Sequence, residues 1–218
     1  MNPVFRMLSA SALLCFSIFT KSCADQELSL EFPSEITIQG IPTGANITGK
    51  VLSVQKAMDS IVINIQDDNQ QIQTIKIIPA ISIPDYQMIS GFNIEAHSKV
   101  NPDGFIRWIT LEGQGNKQIF IGSKIRKGFA LPDDISVKPG RTLKMPHPGS
   151  RLWTEIILTV KNGEDTGLLP GKTVGFETSS RKWSAILFGA SIHPGGPENS
   201  LSIESPGFTA DLILWSGF

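Results

Sequence analysis

Cysteine is almost missing from this chain of 218 residues. It occurs twice, as Cys15 and Cys23, and both lie within the first 24 residues. The rest of the chain therefore cannot form a disulfide, a cysteine-ligated zinc site, a thiol nucleophile or a blue-copper centre. Tyrosine occurs once, too rarely for the aromatic girdles of an outer-membrane barrel, and Ser216 breaks the alternation ahead of Phe218. Charge is also scarce: 18% of residues, with Lys+Arg 19 against Asp+Glu 20 and a formal net charge of -1. That argues against nucleic-acid binding through bulk positive charge and against an acidic tail. A hydrophobic share of 40% is too high for a disordered chain, and Gly and Pro recur without a period. No apolar run reaches the roughly 20 residues of a membrane-crossing helix. No window keeps a 3.6-residue period through three turns.

The first 24 residues read as an address. Arg6 supplies a positive start, Met7–Phe19 is apolar, and Ser22-Cys23-Ala24 places small residues ahead of Asp25. This is the order of a secretory signal peptide, 1–24, with cleavage before Asp25. A second cut before Cys23 would leave that residue as the site of lipidation, making a lipoprotein. Lys21 departs from the small residue usual there. The expected localisation is therefore exported, periplasmic or secreted, with a membrane contact only through lipid on Cys23.

What is abundant is isoleucine alternating with polar residues, the period of a half-buried strand. Glu27–Phe32, Glu35–Gln39, Ile47–Gln55, Ser60–Gln66 and Gln71–Ile77 all show it, and Asp67-Asp68-Asn69 turns between the last two. Phe92–Val100 and Phe105–Leu111 flank Asn101-Pro102-Asp103-Gly104, where Pro presets the turn and Gly accepts positive φ. Further strands are expected over 118–122, 154–161, 173–177, 184–188, 201–203 and 208–215, with Asn162-Gly163 as a hairpin turn. Pro139-Gly140 and Pro170-Gly171 read as tight turns that each deliver the chain into a strand. The fold class is all-β. Its expected domains are a small barrel-like unit over 25–115 and an antiparallel β-sandwich over 116–218, divided by the glycine-containing loop at 113–116.

Within 47–112, Gly49, Val51 and Val54 open the pattern, and Gly91, Ile94, Asp103, Gly104 and Ile109 close it. This spacing resembles the small OB-type β-barrels of bacterial exported proteins, over about a third of the chain. The resemblance implies a ligand- or oligomer-binding face and no reaction. Phe92, Phe105 and Trp108 are the nearby aromatics, too few for a nucleic-acid stacking platform.

Catalytic groupings are incomplete. Ser191 stands two before His193 but lacks the second glycine of a nucleophile elbow and an orienting acid. Asp133/Asp134 and Glu164/Asp165 are turn pairs, not acids held across a cleft. His147 and His193 each begin a His-Pro-Gly tripeptide in a loop, with Met145 nearby, so a metal centre is conceivable if the two loops meet. Of Trp108, Trp153, Trp183 and Trp215, the second and third follow basic residues, Arg151 and Arg181. An arginine beside a tryptophan suits partner recognition, so Trp153, Trp183, Arg151 and Arg181 are binding candidates. A tryptophan in a β-sandwich is otherwise a core residue. The balance points to an exported, non-enzymatic binding or assembly module of the cell envelope, with an envelope protein or glycan as partner and no cofactor. The alternative is a metal-binding protein or metal-dependent enzyme built on the two His-Pro-Gly loops.

Overall fold

A computed structural model describes residues 35–81, 86–101, 104–144, 152–160, 164–193 and 207–218, which all fall within one compact unit. Residues 1–24 with the expected signal peptide and Cys23, the 27–32 alternation, Asn162-Gly163 and the expected strand over 201–203 lie outside those residues. The chain is all-β. In order it forms β1 (Thr37–Gln39), β2 (Asn46–Lys56), β3 (Ile61–Asp67), β4 (Ile72–Ile78), β5 (Asn93–Asn101), β6 (Gly104–Glu112) and β7 (Gln118–Arg126). There follow β8 (Ser136–Lys144), β9 (Leu152–Thr159), β10 (Thr166–Leu168), β11 (Thr173–Glu177), β12 (Lys182–His193) and β13 (Gly207–Ser216). Ten strands make one antiparallel sheet, in the order β1-β4-β3-β2-β5-β6-β7-β13-β12-β11, and β10-β9-β8 make a second.

The sheet continues on both sides of the 113–116 connection, because β6 and β7 pair directly from Glu112↔Gln118 to Arg107↔Ser123. The buried core, by contrast, has two parts. One is lined by Ile61, Ile63 and Ile65 of β3, Ile75 and Ile77 of β4, and Ile109 and Leu111 of β6. The other packs Val137, Ile156, Leu158 and Leu168 of the small sheet against Ala185, Leu187, Leu212 and Leu214. Strand β7 serves both: Ile119 and Ile121 belong to the first and Phe120 to the second. Strand β13 does the same with Ile213 against Leu212 and Leu214. A strand buried on both faces needs a continuous apolar run, which is why these two segments lack the polar alternation of β3. Ile72 is exposed, because β4 turns Ile75 and Ile77 inward and the alternation from them leaves Ile72 on the opposite face.

Pro170-Gly171 is a turn, with Gly171 at φ 76, and the chain enters β11 two residues later. Pro139-Gly140 is not. It lies inside β8, where the register with β9 slips between Pro139 and Thr142. Strand β8 is an edge of the small sheet, where proline removes no ladder bond and bulges are tolerated. A side chain at Gly140 would meet the backbone oxygen of Glu155 at 2.9 Å.

The large sheet curls until β1, at one end of the strand order, meets β7 and β13. The Ile36 N–H donates to Asp211 Oδ2 (3.2 Å), and the Ser123 hydroxyl donates to the Ile36 carbonyl (2.6 Å). The other carboxylate oxygen, Asp211 Oδ1, accepts the Lys124 N–H at 2.6 Å. Both neighbours of β13 are bulged here. On β7, Ser123 and Lys124 together face the single residue Asp211; on β12, Phe188 is the extra residue between Leu187 and Gly189. Lys124 sits at φ 57, a left-handed conformation disfavoured for a side-chain-bearing residue, and its N–H is the group that Asp211 holds. Gly122 is required beside it, since a Cβ there would meet Ile125 Cγ1 at 2.5 Å.

Asp211 is buried, and that burial raises its pKa to about 6, with nearby Glu35 adding to the effect, against the two backbone N–H donors and Lys124. The folded chain thus holds a proton on Asp211 more tightly than the unfolded chain does. This contribution to stability is greatest below the ordinary carboxylate value and is lost as pH rises through about 6. At roughly 1.4 kcal/mol per unit, the change across that window is about 3 kcal/mol. Asp211→Asn should remove it, and should also lower stability, because the amide group must face one of the two N–H donors. Urea unfolding of both proteins from pH 4 to 7 checks this. The difference between the two stability profiles should change across pH 4 to 6; parallel profiles would show that Asp211 does not titrate there.

Candidate functional site

The β11–β12 hairpin carries two of the four binding candidates, Arg181 and Trp183. Trp183 is 2% exposed and belongs to the second core. Its Nε1–H donates to Asp133 Oδ2 at 2.9 Å. Arg181 lies over the Trp183 ring, 5.6 Å from its centroid, with Nε 3.2 Å from the same carboxylate oxygen. Arg181 also donates to Gln118 Oε1 (3.2 Å) and to the Asn116 carbonyl (3.4 Å). Thr178 donates to Asp133 at 3.0 Å, and Ser180 donates to it as well. Burial pushes the Asp133 pKa up. The donors Ser180, Trp183 and Thr178, together with the Arg181 charge, outweigh that and hold it below the ordinary carboxylate range. Asp133 is thus the post on which the hairpin is hung. The Trp183 ring is part of the second core and does not present a bare face to a partner.

The other candidates separate. Trp153 lies in β9 opposite Leu143, with only its backbone described, and Arg151 lies outside the described residues. The same holds for His147 and Met145, while His193 is described only as a backbone position in β12, opposite Gly207. The meeting of the two His-Pro-Gly loops therefore falls outside the described residues. Among the described residues no three His, Cys, Asp or Glu side chains are grouped to hold a metal. His97 stacks on Trp108, with centroids 4.5 Å apart at 12°, and faces Glu95 across 3.6 Å.

Arg181 and Trp183 do contribute to a cleft of about 320 Å³, together with Asn116, Lys182, Ser184, Trp215, Ser216, Gly217 and Phe218. Gly217, at φ 80, closes its base: a Cβ there would meet the Asn116 carbonyl at 2.9 Å. The charges at the rim are matched, Arg181 by Asp133 and Lys182 by Glu177 at 2.9 Å. Beyond the cleft the surface becomes apolar. Leu52, Met88 and Phe218 are 43, 48 and 42% exposed. Lys117 links two of them, its Nζ lying 3.6 Å from Met88 Sδ and 5.4 Å from the Phe218 ring centroid. The Ser90 hydroxyl donates to the Leu52 carbonyl (3.1 Å), and Phe92 backs Phe218 at 6.5 Å. No family model, curated protein or solved structure matches the chain.

Of the residues that line the cleft, Arg181 and Trp183 are sequence candidates; the cleft as a whole and the ledge are not legible in the sequence. Their residues come from five separate stretches of chain, and the one local signal was Ser216-Gly217 interrupting the apolar run of β13 just before Phe218. Trp183→Phe should cost about 1–2 kcal/mol of stability by taking one of its donors from the partly buried Asp133 carboxylate. Urea unfolding measures it, and an unchanged midpoint would remove the Trp183–Asp133 bond from the account of this hairpin.

Proposed function

We propose that this protein is an exported, non-enzymatic binding or assembly module of the cell envelope, and that an envelope protein docks on the ledge of Leu52, Met88 and Phe218 with an anchor in the adjoining cleft. The observation that carries the reading is the group of exposed apolar side chains beside the cleft: Phe218 lines it, Met88 shares Lys117 with Phe218, and the Leu52 carbonyl accepts from Ser90, two residues from Met88. Protein interfaces favour Met, aromatic residues and Arg at their centres, and leave matched charges at the rim. Large exposed apolar patches rimmed by polar groups mark interaction surfaces. Leu52 and Met88 suit a protein partner better than a sugar, whose rings stack on flat aromatic faces. The positive start, apolar stretch and small-residue cleavage site of 1–24 support export.

The test is photo-crosslinking in the producing cell, with the reactive residue placed at Met88, at Phe218 or, as a control, at exposed Asn69 in the β3–β4 turn. A discrete protein adduct from Met88 and Phe218, absent from Asn69, is expected. A protease-resistant, periodate-sensitive adduct would replace the protein partner with a glycan. The same adducts from all three positions, or none from any, would contradict docking on the ledge.

A further inference from the structure

The opposite end of the β5–β6 hairpin carries a second feature. Ile94 and Ala96 of β5, and Ile109 and Leu111 of β6, face the first core. The two-residue period places Ser98 and Val100, and Arg107 and Phe105, on that same side further along the hairpin. Ser98 and Arg107 are directly opposite in register, as are Val100 and Phe105. Here the core stops being apolar. Ser98 is 3% exposed, and its hydroxyl has no hydrogen-bond partner. The Arg107 Nε is buried and also has none. The Arg107 guanidinium lies over the Phe105 ring, 5.2 Å from its centroid. Among the described residues no carboxylate forms an ion pair with it.

The neighbouring polar groups are engaged elsewhere. Ser123, opposite Arg107 on β7, gives its hydroxyl to the Ile36 carbonyl. Both Asp211 oxygens hold backbone N–H groups. A buried guanidinium nitrogen and a buried hydroxyl left without partners on directly opposed residues are costly, and an acceptor supplied to both would relieve that cost. Beside them, Val100 and Phe105 are exposed apolar side chains on the same face.

We propose that this end of the hairpin binds an oxyanion, a carboxylate or phosphate, carried on an apolar group. Arg107 and Ser98 receive the oxyanion, and Val100 and Phe105 receive the apolar part. A guanidinium presents paired donors that suit either oxyanion, and the serine hydroxyl adds one more. The site is independent of the ledge and cleft, which adjoin the other end of the same hairpin.

The experiment is calorimetric titration of the full chain with octyl phosphate below its micelle concentration and with inorganic phosphate, alongside melting curves. Octyl phosphate should bind and raise the melting temperature. Arg107→Met should weaken binding at least tenfold and Ser98→Ala several-fold. Without ligand, Arg107→Met should melt no lower than the wild type, since it removes a buried nitrogen that lacks a partner. A lower melting temperature for unliganded Arg107→Met would assign Arg107 to a structural contact and overturn the proposal. So would equal binding by Arg107→Met, no binding by the wild type, or inorganic phosphate binding as tightly as octyl phosphate. Vesicles of anionic phospholipid separate the sources of the oxyanion. Co-sedimentation lost in Arg107→Met supports a lipid headgroup; binding of octyl phosphate without co-sedimentation supports a soluble amphiphile.

Discussion

The carboxylate of Asp211 is the constraint on which the rest of the large sheet depends. Strand β1 has three residues and pairs only with β4, so its ladder alone would hold it weakly. The Ile36–Asp211 and Ile36–Ser123 bonds tie it to strands six and seven places away in the strand order. The same carboxylate holds the left-handed Lys124, and bulges on both neighbouring strands lie against it. Bulges sharpen the local twist of a sheet, and two of them at one point give β7, β13 and β12 the bend that the curl requires. Because the sheet bends there, both faces of β7 and β13 are covered, one by the curled strands and the other by β8–β10.

Much of this was legible in the sequence, and the reasons are local. The β3–β4 hairpin is written in Ile61, Ile63 and Ile65 against the turn at Asp67, whose carboxylate caps the loop through the Asn69 and Gln71 amides. The β5–β6 hairpin is written in the Asn101-Pro102-Asp103-Gly104 sequence between its strands, whose pairing runs to Asn101↔Gly104. What could not be read depends on distant pairs. Asp211 looks like an ordinary polar break in an apolar strand until Ile36, 175 positions away, is placed against it. Pro139-Gly140 has the composition of a turn, and only its place on an edge strand makes it a bulge. Trp183 and Arg181 have the composition of a recognition pair, but Asp133, 50 positions earlier, binds both inward. The cleft beside them is legible only once Asn116, Arg181 and Trp215 are brought together by the β7-β13-β12 order.

The two proposed surfaces follow from how this sheet ends. Strands β5 and β6 extend beyond the apolar core, so the face that is apolar in the middle turns polar at the buried Ser98 and Arg107 Nε and is exposed beyond them at Val100 and Phe105. At the other end, the one-turn helix Tyr86–Ile89 and residues 216–218 leave large apolar side chains at the surface around Lys117. A chain without cysteine beyond its first segment has no cross-links to hold such ends, and its rigidity rests on isoleucine packing and on buried polar posts such as Asp211 and Asp133.

Amide hydrogen exchange at Ile36 and Lys124 tests the central role of Asp211 most directly, because these are the two N–H groups its carboxylate accepts. Ile36 precedes β1, and Lys124 sits in a bulge, so neither owes protection to a regular ladder. The account predicts that both exchange as slowly as core amides of β7 and β13, and that both become fast together in Asp211→Ala. Exchange of Ile36 at the rate of an exposed turn amide such as Gln70, with β7 and β13 still protected, would show that the sheet curls without the Asp211 clamp.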